Sequence, residues 1–208
     1  MELQRTETWH AQRLGHLTAS RLNDAFDLTA KGLEGAKRQQ YRLELVAERL
    51  TGIPTEFFEN SAMRWGTTNE PFARSAYEAE KGVMVQEVGF IKHPTLEWAG
   101  ASPDGLVDEG LLEIKCPTTT THIKHLLGGV VPEQYKNQML WQMLCTGRKW
   151  CDFVSFDPRM PEELQLFIKR YEPLPEELKE CQEKAIVFLE SVQSIVSQIE
   201  QIPVCSVS

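Results

Sequence analysis

The chain has 208 residues, a formal net charge of −8, 41% hydrophobic residues and 25% charged residues. That length is enough to bury one core, and so ordinary a balance excludes a largely disordered chain. The acidic surplus counts against broad, non-specific nucleic-acid binding but leaves room for an enzyme that confines positive charge to a groove.

A single domain over 1–208 is expected, ending in a helix at about 175–201. The opening residues MELQRTETWH carry no apolar run, and no stretch is apolar enough to span a bilayer. A soluble cytoplasmic protein without an export signal is therefore expected. The five cysteines (Cys116, Cys145, Cys151, Cys181, Cys205) are odd in number and form no C-x-x-C pair, so neither a disulfide framework nor a zinc site is expected.

In chain order, Thr6 to Leu14 reads as a short helix ending at Gly15, and Thr18 or Ser20 begins a second one through Phe26. Between them, Arg13 followed by Thr18 and Ser20 is either a phosphate seat or a capped helix beside a surface arginine. Residues 27–36 read as a mobile, locally basic loop, with Lys31 in it and Lys37-Arg38 at its exit. A helix over 37–51 follows, closed by Gly52. After a loop at 53–59, a helix carries Glu70, and Pro71 implies that it starts near Thr68 or bends there. Trp65 and Phe72 beside Glu70 suggest a packed turn, in which a buried carboxylate needs a partner.

Strands are expected at 83–85, 88–91 and 98–102, then a hairpin. The stretch ASPDGLVDEGLLEIKCP, from Ala101 to Pro117, is the most informative in the chain. Leu111 to Cys116 reads as a buried strand, so Glu113 and Lys115 share a face, while Leu112 and Ile114 share the other. If 106–107 pairs back through the Asp108-Glu109-Gly110 turn, Asp104 reaches the same end of the hairpin. Two carboxylates and an ammonium then converge, which suits a hard divalent cation with oxygen ligands and a phosphate substrate. The alternative is a solvated polar hairpin, which the apolar flanks of Glu113-Ile114-Lys115 disfavour. Beyond it come a helix at 118–127 and a longer one at 132–146, on which Gln134, Gln138 and Gln142 form a stripe that would ordinarily face solvent. Strands at 151–156 and 164–171 and the final amphipathic helix complete the chain.

Several segments together carry a resemblance: Arg-Leu-Gly-x-Leu-Thr-Ala-Ser at 13–20, Trp-Gly-x-x-x-Glu at 65–70 and Ser-Pro-Asp-Gly-Leu at 102–106. To these are added Leu-Glu-Ile-Lys-Cys-Pro at 112–117, Gln138, and Phe-Asp-Pro-Arg-Met at 156–160. In this order they resemble the lambda-type phage exonucleases, the YqaJ-like viral recombinases of the PD-(D/E)XK nuclease superfamily. The resemblance implies an α/β fold with a central mixed β-sheet flanked by α-helices. It also implies Mg2+-dependent digestion of duplex DNA from 5′ ends, with Mn2+ as a possible substitute and two ions per site. Asp104 and Glu113 would be metal ligands with the Ile114 carbonyl, and Glu70 would complete the second position. Lys115 would orient the attacking water, with Gln138 in support. Arg13, Ser20 and Ser102 would hold a terminal 5′-phosphate, and Met63 would wedge the duplex end. A homotrimeric ring, a single-strand DNA annealing protein as partner and a bacterial host cytoplasm are implied as well. The basic cluster of Lys31 with Lys37-Arg38 would line the ring's channel. Residues 27–36 depart from the family pattern, and the final helix carries no motif. The rival readings are an endonuclease with the same core and a DNA-binding module with a vestigial site.

Overall fold

A computed structural model describes residues 4–55 and 60–203, so part of the loop expected at 53–59 lies outside the described residues. Helix α1 (Glu7–Arg13) is capped by the Thr6 hydroxyl, which accepts from Trp9 N at 3.1 Å. Strand β1 (Leu17–Thr18) leads through a 3-10 turn at Ala19–Arg21 into the short α2 (Leu22–Ala25). Residues 27–36 do not form the loose loop expected of them. Leu28 bridges Glu34, and Thr29 N donates to Leu33 O at 2.8 Å, closing a small turn before α3 (Ala36–Thr51).

Helix α4 (Ser61–Lys81) begins well before Thr68 and continues through Pro71, contrary to the expected boundary. Its start is set by Asn60, whose side chain accepts from Met63 N at 3.0 Å. Pro71 has no N–H for the Thr67 carbonyl. Just upstream, Thr68 Oγ1 and Asn69 Nδ2 donate to the Arg64 and Trp65 carbonyls at 2.9 and 2.8 Å.

The strands form two sheets. Strand β1 runs parallel to β3 (Ala99–Ala101), which pairs antiparallel with β2 (Ile91–Lys92). The second sheet has the order β4 (Gly105–Val107), β5 (Gly110–Lys115), β6 (Cys151–Phe156) and β7 (Leu166–Tyr171). Its outer pairs are antiparallel and its central pair, β5 with β6, is parallel. The parallel connection carries α5 (Thr119–Gly128) and α6 (Glu133–Thr146), and α7 (Pro175–Glu200) closes the chain. No strand forms at 83–85. That segment offers the sheet one bridge, Gln86 to Leu106, and Val85 N turns back to Glu78 Oε1 at 2.7 Å. Among the described residues no helix is long and apolar enough to cross a membrane, and the described cysteines are free.

Alternation along β5 and β6 divides the core between the two faces of the larger sheet. Leu111 and Phe153 pack with Met139 of α6 and with Phe188 and Val192 of α7, while Leu112, Ile114 and Val154 pack with Ala73 and Tyr77 of α4. Gly110 is required where the hairpin meets Trp150, because a Cβ there would lie 2.2 Å from the indole. Helix α4 is pinned to the sheet by Asp152 on β6. Tyr77 Oη donates to its Oδ2 at 2.8 Å, and Arg170 on β7 donates from Nε and Nη2 at 2.8 and 3.0 Å. Asp152→Ala should cost about 2–3 kcal/mol, the scale of hydrogen bonds to a charged group. Part of the ion pair is already lost to solvent, since Arg170 is half exposed. Tyr77→Phe should cost about 1 kcal/mol. Urea unfolding of both variants checks the ranking.

Candidate active site

Strand β4 is short, and that shortness shapes the site. Its pairing with β5 stops at Gly105 opposite Leu112. Every second residue of β5 turns its backbone polar groups to that edge, so Ile114 N–H and C=O lie just past the last β4 pairing. Asp104, one residue before β4, fills the position with its carboxylate, and Ile114 N donates to Asp104 Oδ2 at 2.7 Å. The Ile114 carbonyl is therefore on the same edge as the Asp104 carboxylate. The sequence expectation that the hairpin carries Asp104 to this end holds.

Glu113 points to the opposite face of β5 from Leu112 and Ile114 and has no solvent exposure (0%). Lys115, two residues on, forms an ion pair with Glu113 Oε1. Helix α6 crosses the same face. Gln138 Nε2 donates to Glu113 Oε1 and Gln142 Nε2 donates to Glu113 Oε2, both at 2.6 Å. Lys115 Nζ also reaches Gln138 Oε1 at 3.5 Å and sits 5.2 Å from the centre of the Tyr135 ring. The stripe of glutamines thus turns inward, against the expectation that it faces solvent: Gln134 is exposed, Gln138 partly buried, and Gln142 fully buried. Gln142 was not among the expected site residues. The available signal was its i, i+4 spacing from Gln138 among Met139, Leu140, Trp141 and Met143.

Charge is unevenly balanced here. Burial would lower the Lys115 ammonium, but Glu113 and Asp104 outweigh it and push its pKa up, so it remains charged. Asp104 is pushed well above its ordinary value, first by burial and then by Glu113 and Glu70, against smaller opposing effects of Lys115 and the Ile114 N–H. The Cys116 thiol beside them is raised to about 12, by burial and then by Glu70 and Asp104.

Glu70 on α4 is close enough to bias Asp104, yet its oxygens are engaged elsewhere. Arg74 Nη2 binds Oε1 at 2.9 Å and Arg5 Nη2 binds Oε2. Arg5, whose backbone is left-handed (φ 68°), belongs to an N-terminal segment that Gln4 ties to the Val88 and Pro103 carbonyls at 3.0 and 2.7 Å. The sequence offered no sign of that contact. Among the described residues no group of three or more His, Cys, Asp or Glu side chains is assembled for a metal. The donor set around Asp104, Glu113 and the Ile114 carbonyl is nonetheless all oxygen, with two carboxylates, and so fits one hard divalent cation. Such a charge would relieve the repulsion that raises Asp104. Glu70 fits a second position only after exchanging a guanidinium.

Two residues upstream of Asp104, Ser102 Oγ accepts from Trp9 Nε1 at 2.9 Å and from Arg13 Nη1 at 3.2 Å. The Arg13 guanidinium lies 4.1 Å from the centre of the Trp9 ring, and burial lowers its pKa. The parallel register is Leu17↔Ala99 and Thr18↔Gly100, and Ser20 and Ser102 each follow two residues after the last of these pairs. Ser20 itself is exposed. Met63, 39% exposed, lies seven residues before Glu70 and hence on the same face of α4. The expected basic cluster is only partly available. Lys31 and Lys37 are exposed, but Arg38 is spent on Glu34, the Ala25 carbonyl and the face of Phe188.

A mixed sheet flanked by helices, with an aspartate before one strand and Glu-x-Lys at the end of its neighbour, defines a PD-(D/E)XK nuclease-like α/β core. Residues 8–149 match the YqaJ-like viral recombinase domain. The chain belongs to that family. Its structure is similar to that of an alkaline exonuclease from Laribacter hongkongensis, with 45% identity, 94% of this chain and 97% of that chain covered, and a TM-score of 0.86. The same exonuclease in complex with dAMP gives 0.87 over the same coverage. A phage-related exonuclease from Haemophilus somnus 129PT, 14% identical over 88% of this chain and 96% of that one, shares the fold with a TM-score of 0.67. A search of curated proteins found no match.

A carboxyl whose folded pKa lies above its unfolded value weakens the fold as pH rises between the two, and the full penalty holds above both. Asp104→Asn should therefore raise the melting temperature of the protein in chelator at neutral pH. The gain should fade below the ordinary value of 3.8, where both states are protonated. Melting curves at pH 3.5 and 7 check the sign.

Proposed function

We propose that the chain is a Mg2+-dependent 5′-to-3′ double-strand DNA exonuclease that leaves a 3′ strand for a single-strand annealing protein. The observation that carries this reading is the adjacency of two built elements. The Asp104–Glu113–Lys115 cluster lies two residues along the chain from the Arg13–Ser102 contact. The alkaline exonuclease relative, at 45% identity over nearly the whole chain, supports the same class of reaction.

In this reading Asp104, Glu113 and the Ile114 carbonyl would hold Mg2+ or Mn2+, and Glu70, paired here with Arg5, would serve a second ion. The bound cation would supply Lewis acidity toward a phosphodiester oxygen and a more acidic water. Lys115, held charged by its carboxylate neighbours, orients the attacking water and stabilises charge developing on the phosphate. Gln138 accepts from Lys115 and donates to Glu113, and so keeps the pair in register. Arg13, with Ser102 and Ser20, takes the terminal 5′-phosphate through charge-assisted hydrogen bonds. Met63, exposed on the Glu70 face of α4, unstacks the duplex end. A homotrimeric ring in a bacterial cytoplasm would let an acidic chain remain on DNA without broad electrostatic grip, with Lys31 and Lys37 facing its channel.

The deciding experiment uses duplexes with 5′-phosphate or 5′-hydroxyl ends, labelled on opposite strands, with and without Mg2+. Loss of label from the 5′-ended strand alone supports the proposed polarity. Cutting of a covalently closed circle would replace it with an endonuclease.

Lys115→Ala should abolish cleavage while DNA binding persists, as read by gel shift alongside turnover. Arg13→Ala should slow digestion of 5′-phosphorylated ends about 10- to 100-fold, the equivalent of about 1.5–3 kcal/mol for one charged contact, and should spare 5′-hydroxyl ends. An equal loss on both substrates would make Arg13 structural.

A further inference from the structure

Helix α6 offers two amides, one turn apart, to a single carboxylate, and they are not equivalent. Gln138 and Lys115 both act on Glu113 Oε1. Among the described residues Gln142 acts alone on Oε2, at 2.6 Å. The torsion that rotates a glutamate carboxylate is a broad sp3–sp2 one, so partners on one oxygen leave the plane free to swing. A donor on the second oxygen removes that freedom.

The environment of Gln142 points the same way. Its side chain is fully buried, and its own Oε1 is a buried acceptor without a partner among the described residues. A methionine or leucine would fill the volume and leave no polar atom unsatisfied. The contribution that an alkyl chain could not make is the single N–H on Glu113 Oε2. A neutral amide also differs from the guanidiniums that bind Glu70. It holds the carboxylate in place without adding to the charge compensation that Lys115 already provides.

We infer that Gln142 is a positioning residue for Glu113: it anchors Oε2 to α6 and so keeps Oε1 turned toward Lys115. The part of this inference that concerns a cation rests on the proposed reading of Asp104 and Glu113 as its ligands. Partners of this kind, one shell out from a metal, change affinity by about 10- to 100-fold when removed.

The test uses Gln142→Met, which keeps the length and removes the donor. Calorimetric titration with Mn2+ in the absence of DNA should show about 10- to 100-fold weaker binding. The kcat on duplex ends should fall while the KM for ends stays unchanged. Melting curves in chelator of wild type, Gln142→Met, Glu113→Leu and the double variant form a cycle that contains no metal. Gln142→Met should destabilise the protein when Glu113 is present and be neutral or stabilising when residue 113 is leucine. Folding of the double variant where Gln142→Met alone fails to fold would support the same coupling. Equal destabilisation in both backgrounds, or failure to fold in both, would make Gln142 a packing residue and overturn the inference, as would unchanged Mn2+ affinity. If wild-type protein binds no Mn2+, the cation reading fails by itself, and the cycle still decides whether Gln142 acts through Glu113.

Discussion

A charged carboxylate with no solvent exposure stands at the middle of this molecule. Removing an ion from water costs several kcal/mol unless other groups replace its hydration. Glu113 is compensated by an ammonium two residues along its own strand and by two amides from the helix above it. That requirement constrains much else. Strand β5 must be central, so that its two faces differ, and α6 must cross at Gln138 and Gln142. Tyr135 must lie where the Lys115 ammonium can sit over its ring.

The three acidic side chains of the site have separate environments, and that separation gives them separate behaviour. Glu113 is fully partnered. Asp104 has one backbone N–H and two carboxylate neighbours, so it carries the repulsion. Glu70 is neutralised by Arg5 and Arg74. An arrangement that leaves one carboxylate under-compensated is poor for stability and well suited to receiving a cation.

The acidic surplus of the chain is used locally as well. Arg21 is paired with Asp24 and Glu44, Arg42 with Glu34, Arg159 with Asp157 and Arg170 with Asp152. Arg13 has no carboxylate ion pair among the described residues; its contacts are the Ser102 hydroxyl and the Trp9 ring. Its hydroxyl partner, Ser102, stands two residues before Asp104 of the carboxylate cluster. The net charge of −8 thus describes the whole chain and says little about the field at this one end of β1 and β3.

Much of what depends on near neighbours could be read from the sequence alone, although the turn closed by Leu28 and Glu34 was not. Period-two alternation put Glu113 with Lys115 and opposed them to Leu112 and Ile114, and the Asp108-Glu109-Gly110 turn brought Asp104 back to them. Glycines at 52 and 147 end their helices in the left-handed conformation, as the pattern indicated. Of the two readings of Pro71, a helix start near Thr68 fails because a proline argues for a boundary only until a cap elsewhere and tertiary packing outweigh it. Spacing placed Gln134, Gln138 and Gln142 on one stripe, but a stripe has no inside until something packs on it. On helix α6 one end of that stripe is in solvent and the other in the core. The Arg5 to Glu70 pairing, 65 residues apart, lies beyond any local signal. Periodicity fixes which side chains share a face; only the packed chain decides what that face meets, because burial and charge compensation are set by partners distant in sequence.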